Sequence, residues 1–175
     1  MKDYQAVVIG VSAGGLNALM RIFSQLPDRF TLPIIVVQHT HPAEDGSMYK
    51  IFQASKLKIK EAFDKQVIQS GNIYFGPPEY HLLIEQTNTI ALSVDDRVNF
   101  SRPSIDVLFE SAAYVWKDRL IAILLTGASM DGARGMLLIK SFGGLTIVQD
   151  PQTAEFPFMP QSARSSSTGM MLPSE

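Results

Sequence analysis

The chain enters its first element at Ala6-Val7-Val8-Ile9-Gly10-Val11-Ser12-Ala13-Gly14-Gly15, a β-branched run that gives way to small residues. The apolar run closed by Gly10 reads as a strand, and Leu16, Leu19, Met20 and Phe23 then recur at helical spacing, so the opening is strand, glycine turn, helix. Pro27 and Pro33 bracket the loop before Ile34-Ile35-Val36-Val37. That second run is hydrophobic without interruption, as in a strand buried on both faces and paired in parallel with the first. Residues 48–54 read as a helix and 59–62 as a third strand. Between 67 and 93 the pattern changes to short alternating pieces, Asn72-Ile73-Tyr74-Phe75, then 81–85 and 89–93, separated by Gly76-Pro77-Pro78 and Gln86-Thr87-Asn88, which reads as hairpin structure. A helix over 104–114, with Pro103 at its first turn, precedes a strand over 120–125. A further helix over 131–142 stops at Gly143-Gly144, and 146–148 is a strand. From Gln161 the chain is rich in Ser and Thr with little periodicity, so 161–175 reads as a tail that frays. Repeated βα units with continuous apolar strands predict an α/β fold: a three-layer, doubly wound, mainly parallel sheet with an inserted β-hairpin.

Composition limits what such a fold can do. The 175 residues, 46% hydrophobic and 18% charged, fit one globular domain over 1–175. A chain of this length buries roughly 70% of its unfolded surface and needs no staple. Fifteen Lys and Arg against seventeen Asp and Glu, with no basic run, argue against a nucleic acid partner. The absence of cysteine removes disulfides, thiolate nucleophiles and Cys-ligated metals together. The longest apolar runs, 34–37 and 120–125, fall far below the roughly 18 residues of a membrane span. Met1-Lys2-Asp3-Tyr4-Gln5 leads into the first strand without a signal-peptide apolar stretch, so a cytoplasmic location is expected.

In open parallel sheets ligands bind beyond the carboxyl ends of the strands. Three such ends carry Gly10-Val11-Ser12-Ala13-Gly14-Gly15, Gln38-His39-Thr40-His41-Pro42 and Thr126-Gly127-Ala128-Ser129-Met130-Asp131-Gly132. Gly10-x-Ser12-x-Gly14 has the nucleophile-elbow spacing, in which small neighbours allow a sharp strand-to-helix turn that lifts a hydroxyl clear of the sheet. The same glycines could instead form a phosphate-binding turn, although Ser12 stands where G-x-G-x-x-G requires glycine and no Walker lysine follows. His39 is either a polar strand-end residue or a general base. With His41, Glu44 and Asp45 it could also ligate a metal. His81 reads as structural. Asp131 is either an acid at the start of its own helix or the third member of a triad, with Asp106 and Asp150 as less apt substitutes.

The three strand-end segments resemble, in this order and with their surroundings, the catalytic domain of the chemotaxis receptor methylesterases, the CheB-type family. The resemblance extends to Gly76-Pro77-Pro78-Glu79-Tyr80-His81-Leu82-Leu83, Arg102-Pro103-Ser104-Ile105-Asp106-Val107-Leu108-Phe109, Val148-Gln149-Asp150-Pro151 and Met159-Pro160. It implies a protein-glutamate methylesterase, and a glutamine deamidase, with Ser12 as nucleophile, His39 as general base and Asp131 as orienting acid. The backbone N–H groups of Ala13 and Ala128 are the candidate oxyanion donors, and no cofactor or metal is implied. The implied partners are the cytoplasmic helices of methyl-accepting chemotaxis receptors. Many family members begin with a phosphoryl-receiver domain, whereas this sequence starts on the catalytic strand, so a separate regulatory chain is expected. Two alternatives stay open: a non-catalytic receptor-binding module of the same fold, and a nucleotide-binding domain that uses the first turn.

Overall fold

The computed structural model describes residues 2–39, 51–52, 55–166 and 170–171. Strands β1 (Ala6–Val11), β2 (Ile34–Gln38), β3 (Lys58–Glu61), β4 (Asn72–Phe75), β7 (Leu120–Leu124), β8 (Leu145–Val148) and β9 (Met170–Met171) form one sheet in the order β3-β4-β2-β1-β7-β8-β9. Every neighbouring pair in it is parallel. Strands β5 (His81–Ile84) and β6 (Ile90–Ser93) make a separate antiparallel hairpin. The helices are α1 (Gly15–Gln25), α2 (Ile105–Trp116), α3 (Ala133–Ser141) and α4 (Phe158–Ser166).

Side-chain alternation along the continuous apolar strands divides the core in two. Val7, Ile9 and Val11 of β1, with Ile34 and Val36 of β2, face α1 through its buried Leu19 and Phe23. Ala6 and Val8 of β1, with Ile35 and Val37 of β2 and Leu120, Ala122 and Leu124 of β7, face α2, α3 and the hairpin. A strand sandwiched in this way must be apolar at every position, which is why the sequence shows unbroken runs rather than alternation. Helix α1 ends before Pro27, with Leu26 already extended at φ −66° and ψ 132°.

The sheet order confirms the doubly wound architecture: the chain starts in the middle at β1, passes through β2 to the edge strand β3, comes back to insert β4 between β2 and β3, then crosses to add β7, β8 and β9 on the other side. Four local expectations are corrected. Residues 72–75 are not hairpin structure but an interior parallel strand, because Ile73, Tyr74 and Phe75 are buried on both faces. Pro103 precedes the N-cap Ser104 of α2 rather than lying in its first turn. Helix α3 starts at Ala133, since Gly132 at φ +93° caps it and leaves Asp131 outside. Residues 161–166 continue α4, anchored one turn apart by the fully buried Met159 and Ala163. The helix expected over 48–54 lies outside the described residues apart from Ile51 and Phe52.

Candidate functional site

The strand order reverses around β1, and at such a switch point the carboxyl ends of the strands, here β1, β2 and β7, are where parallel sheets place their sites. Ser12 follows β1 directly. Its N–H donates to Thr126 O at 3.0 Å, and its carbonyl accepts Gly15 N–H at 3.0 Å, closing the turn into α1. Gly14 makes that turn possible: its φ is +75°, and a Cβ there would lie 2.8 Å from Glu155 Cβ. The same contact places a carboxylate against the glycine turn, the wrong sign for a phosphate and a reason to set the nucleotide reading aside.

His39, one residue past β2, is tied to β1 by its N–H, which donates to Val11 O at 3.1 Å. Its Nδ1 lies 3.1 Å from Ser12 Oγ and its Nε2 lies 2.8 Å from Asp131 Oδ2. An ionised carboxylate only accepts, so Nε2 carries the proton and Nδ1 presents its lone pair to the serine hydroxyl. With both ring nitrogens so engaged, His39 is poorly placed to bind a metal. His41, Glu44 and Asp45 lie outside the described residues, and among the described residues no group of three or more His, Cys, Asp and Glu could hold a metal ion.

Asp131 is fully buried, and its partners come mainly from another helix. Its Oδ2 accepts the Ile105 N–H at 2.6 Å, and its Oδ1 accepts the Asp106 N–H at 3.1 Å and the Ser104 hydroxyl at 2.9 Å. The carboxylate therefore caps α2 instead of its own helix α3, at the end where unpaired N–H groups and the helix dipole favour an anion. Asp106 returns the arrangement by accepting the Gly135 N–H of α3 at 2.7 Å. Asn99 spans the two acids, its Nδ2 donating to Asp106 Oδ2 and to Asp131 Oδ1, each at 2.8 Å.

These contacts set the two acids apart. Burial alone would raise the pKa of Asp131, but the hydrogen bonds from His39, Asn99 and the backbone of Ile105 and Asp106 outweigh it and hold the carboxyl below the ordinary range. Asp106 goes the other way: burial raises it, the nearby Asp131 charge adds to that, and the Gly135, Asn99 and Arg134 contacts only partly oppose the rise. Of the two substitutes considered for Asp131, Asp106 has a carboxylate that is linked to the site through Asn99 rather than to His39, and Asp150 caps a local turn by accepting Gln152 N–H at 3.0 Å. His81 is buried, accepts the Ser104 N–H on Nδ1 at 3.1 Å and donates from Nε2 to Asp96 O at 2.9 Å, so it supports Ser104 from behind.

Beside Ser12, the β7 loop approaches so closely that a Cβ on Gly127 would lie 2.9 Å from Ser12 Cβ and 2.5 Å from Met159 Cε. Ala128 is the next residue along that loop. Neither the Ala13 nor the Ala128 N–H has a hydrogen-bond acceptor among the described residues. Sequence reasoning missed Asn99 and Ser104. Ser104 had a signal as a Ser before an apolar helical run, whereas a loop asparagine at 99 carried none.

A scan of family models matches CheB methylesterase over residues 7–175. A Leptospira interrogans relative is 54% identical over 162 residues, which is 92% of this chain and 84% of its own length. Proteins of Symbiobacterium thermophilum and Thermotoga maritima, each named protein-glutamate methylesterase/protein-glutamine glutaminase, are both 36% identical over 89% of this chain, which spans 43% and 46% of their lengths. Among solved structures, the Thermotoga maritima CheB methylesterase catalytic domain superposes with a TM-score of 0.89 at 33% identity, covering 96% of this chain and 92% of that one. With a family model matching from residue 7 to the last residue and a relative sharing more than half of the aligned positions, the chain belongs to the CheB methylesterase family, a family of hydrolases.

Proposed function

We propose that the chain hydrolyses γ-methyl esters of glutamyl side chains on methyl-accepting chemotaxis receptors, and deamidates glutamine at such positions, through an acyl-enzyme on Ser12. The observation that carries this reading is the unbroken hydrogen-bonded line from Ser12 Oγ through His39 to Asp131. His39 Nδ1 takes the hydroxyl proton as Ser12 Oγ bonds to the γ-carbonyl carbon, and the carbonyl electron pair moves onto oxygen. The N–H groups of Ala13 and Ala128 serve the resulting oxyanion, a role that suits two donors with no competing acceptor among the described residues. Asp131 holds His39 in the tautomer that leaves Nδ1 basic and stabilises the imidazolium once formed. Collapse of the tetrahedral intermediate breaks the bond to methoxide, which takes the proton from His39 and leaves as methanol. Water then repeats the attack on the acyl-enzyme, giving up a proton to His39 and releasing the glutamyl carboxylate and the Ser12 hydroxyl. With glutamine the first leaving group is ammonia.

Among the described residues no helix is long and apolar enough to cross a membrane, and the chemistry fits the cytoplasmic helices of a receptor approached from the cytoplasm. The test is methanol release from a methylated receptor fragment. Ser12→Ala is expected to lower kcat by about a millionfold. A folded variant that releases methanol at the parental rate would rule out the serine mechanism.

A further inference from the structure

Residues 98–101 fold into a tight hairpin turn: Val98 N–H donates to Ser101 O at 3.1 Å, and Ser101 N–H donates to Val98 O at 2.9 Å. The two tip residues have positive φ angles, +50° at Asn99 and +63° at Phe100. Such a turn favours asparagine followed by glycine. Asparagine tolerates this region of backbone space, but a bulky aromatic residue there is strained. Phe100 is 97% exposed, the most exposed large apolar residue among the described residues. A strained backbone and a ring that touches almost nothing therefore coincide on one residue.

The turn is firmly held and stands beside the catalytic line. Asn99, the neighbouring tip residue, is fixed to Asp131 and Asp106. Arg102 braces the base of the turn by donating to Val94 O at 2.9 Å, Asp95 O at 3.0 Å and Glu79 Oε2 at 3.1 Å. Phe100 and His39 line the same small cavity, of about 70 Å³. Met130, the residue before Asp131, is a second exposed apolar side chain, 61% exposed.

We propose that Phe100 is a substrate-docking residue whose ring packs against an apolar side chain on the polypeptide segment that carries the esterified glutamate, seating the ester at Ser12. The occupant follows from position: Phe100 shares a cavity with His39, which is hydrogen-bonded to Ser12, so a polypeptide that presents an esterified glutamate to Ser12 brings the residues flanking that glutamate to the ring. This inference rests on the proposed function. Its test compares Phe100→Gly and Phe100→Ala with the parent on two substrates, a methylated receptor cytoplasmic fragment and N-acetylglutamate γ-methyl ester. Glycine removes the backbone strain, so the thermal midpoint of Phe100→Gly should not fall below that of the parent. The ratio of kcat/KM for the receptor fragment to kcat/KM for the small ester is expected to fall at least tenfold in both variants, mainly through KM of the fragment. An unchanged ratio, including a parallel loss on both substrates, would overturn the docking role while leaving the esterase reading intact. A parent dimer that dissociates on Phe100→Gly substitution would assign the ring to a second copy of the chain and overturn it as well. A parent that releases no methanol from the methylated fragment would refute the proposed function and the docking role together.

Discussion

Replacing Asp131 by asparagine tests two roles of one side chain at once. The carboxylate has two oxygens and five donors: His39 and Ile105 on Oδ2, and Asn99, Ser104 and Asp106 on Oδ1. Asparagine keeps one oxygen. Placing it at the Oδ1 position satisfies three donors, but turns the amide toward His39 and strands the buried N–H of Ile105. A stranded buried donor costs about 1–3 kcal/mol, and loss of the anion from the α2 N-terminus costs about 1 kcal/mol more, so the variant should be destabilised by about 2–4 kcal/mol. For a chain of this length that lowers Tm by about 5–15 °C. The amide also forces His39 into the other tautomer, with a proton on Nδ1, so that the ring donates to Ser12 and can no longer accept its proton. The expected fall in kcat is about 10⁴-fold. Urea unfolding and methanol release measured on the same preparation read both effects. Stability within about 0.5 kcal/mol of the parent would refute the capping of α2 by Asp131, and a kcat within tenfold of the parent would refute the tautomer argument.

The remaining predictions use the same geometry. Because the folded pKa of Asp131 lies below its unfolded value, its contribution to stability is fully present above about pH 4 and is lost as pH falls through the folded value. Asp131→Asn should therefore show a shallower loss of stability than the parent in urea titrations below pH 4. Asp106, raised by burial, works in the opposite sense, its protonated form being favoured in the fold. Its contribution should decline as pH rises from about 4 through the folded pKa. Asn99→Ala removes the donor shared by two buried carboxylates and should cost about 1–3 kcal/mol, with a loss of kcat that Asn99→Gln does not fully restore. Matched unfolding and rate measurements would check this. Gly127→Ala introduces a Cβ within 2.9 Å of Ser12 Cβ and 2.5 Å of Met159 Cε, so kcat should fall alongside a destabilisation of about 1–3 kcal/mol. A variant with parental activity would show that the loop yields without moving the serine.

The fold class and the three strand ends were legible in the amino-acid sequence because both are local patterns. Unbroken apolar runs report burial on two faces, and the small residues around Ser12 report a sharp turn. Pattern also brought Ser12, His39 and Asp131 forward, each being a polar, chemically competent residue just past an apolar strand. It failed where a short strand carried no distinctive flank, so that residues 72–75 resembled the neighbouring hairpin although they are buried within the parallel sheet. Asp131 shows the deeper limit. From its position ahead of a helix it reads as an acid serving that helix, yet its side chain caps α2, some 25 residues earlier in the chain. Asn99 gave no sign at all, because a loop asparagine acquires its role only when a carboxylate on helix α2 and another from the loop ahead of α3 converge on its amide. Periodicity and turn chemistry act over a few residues and can be read along a chain, whereas hydrogen bonding between distant segments depends on packing that only the folded molecule specifies.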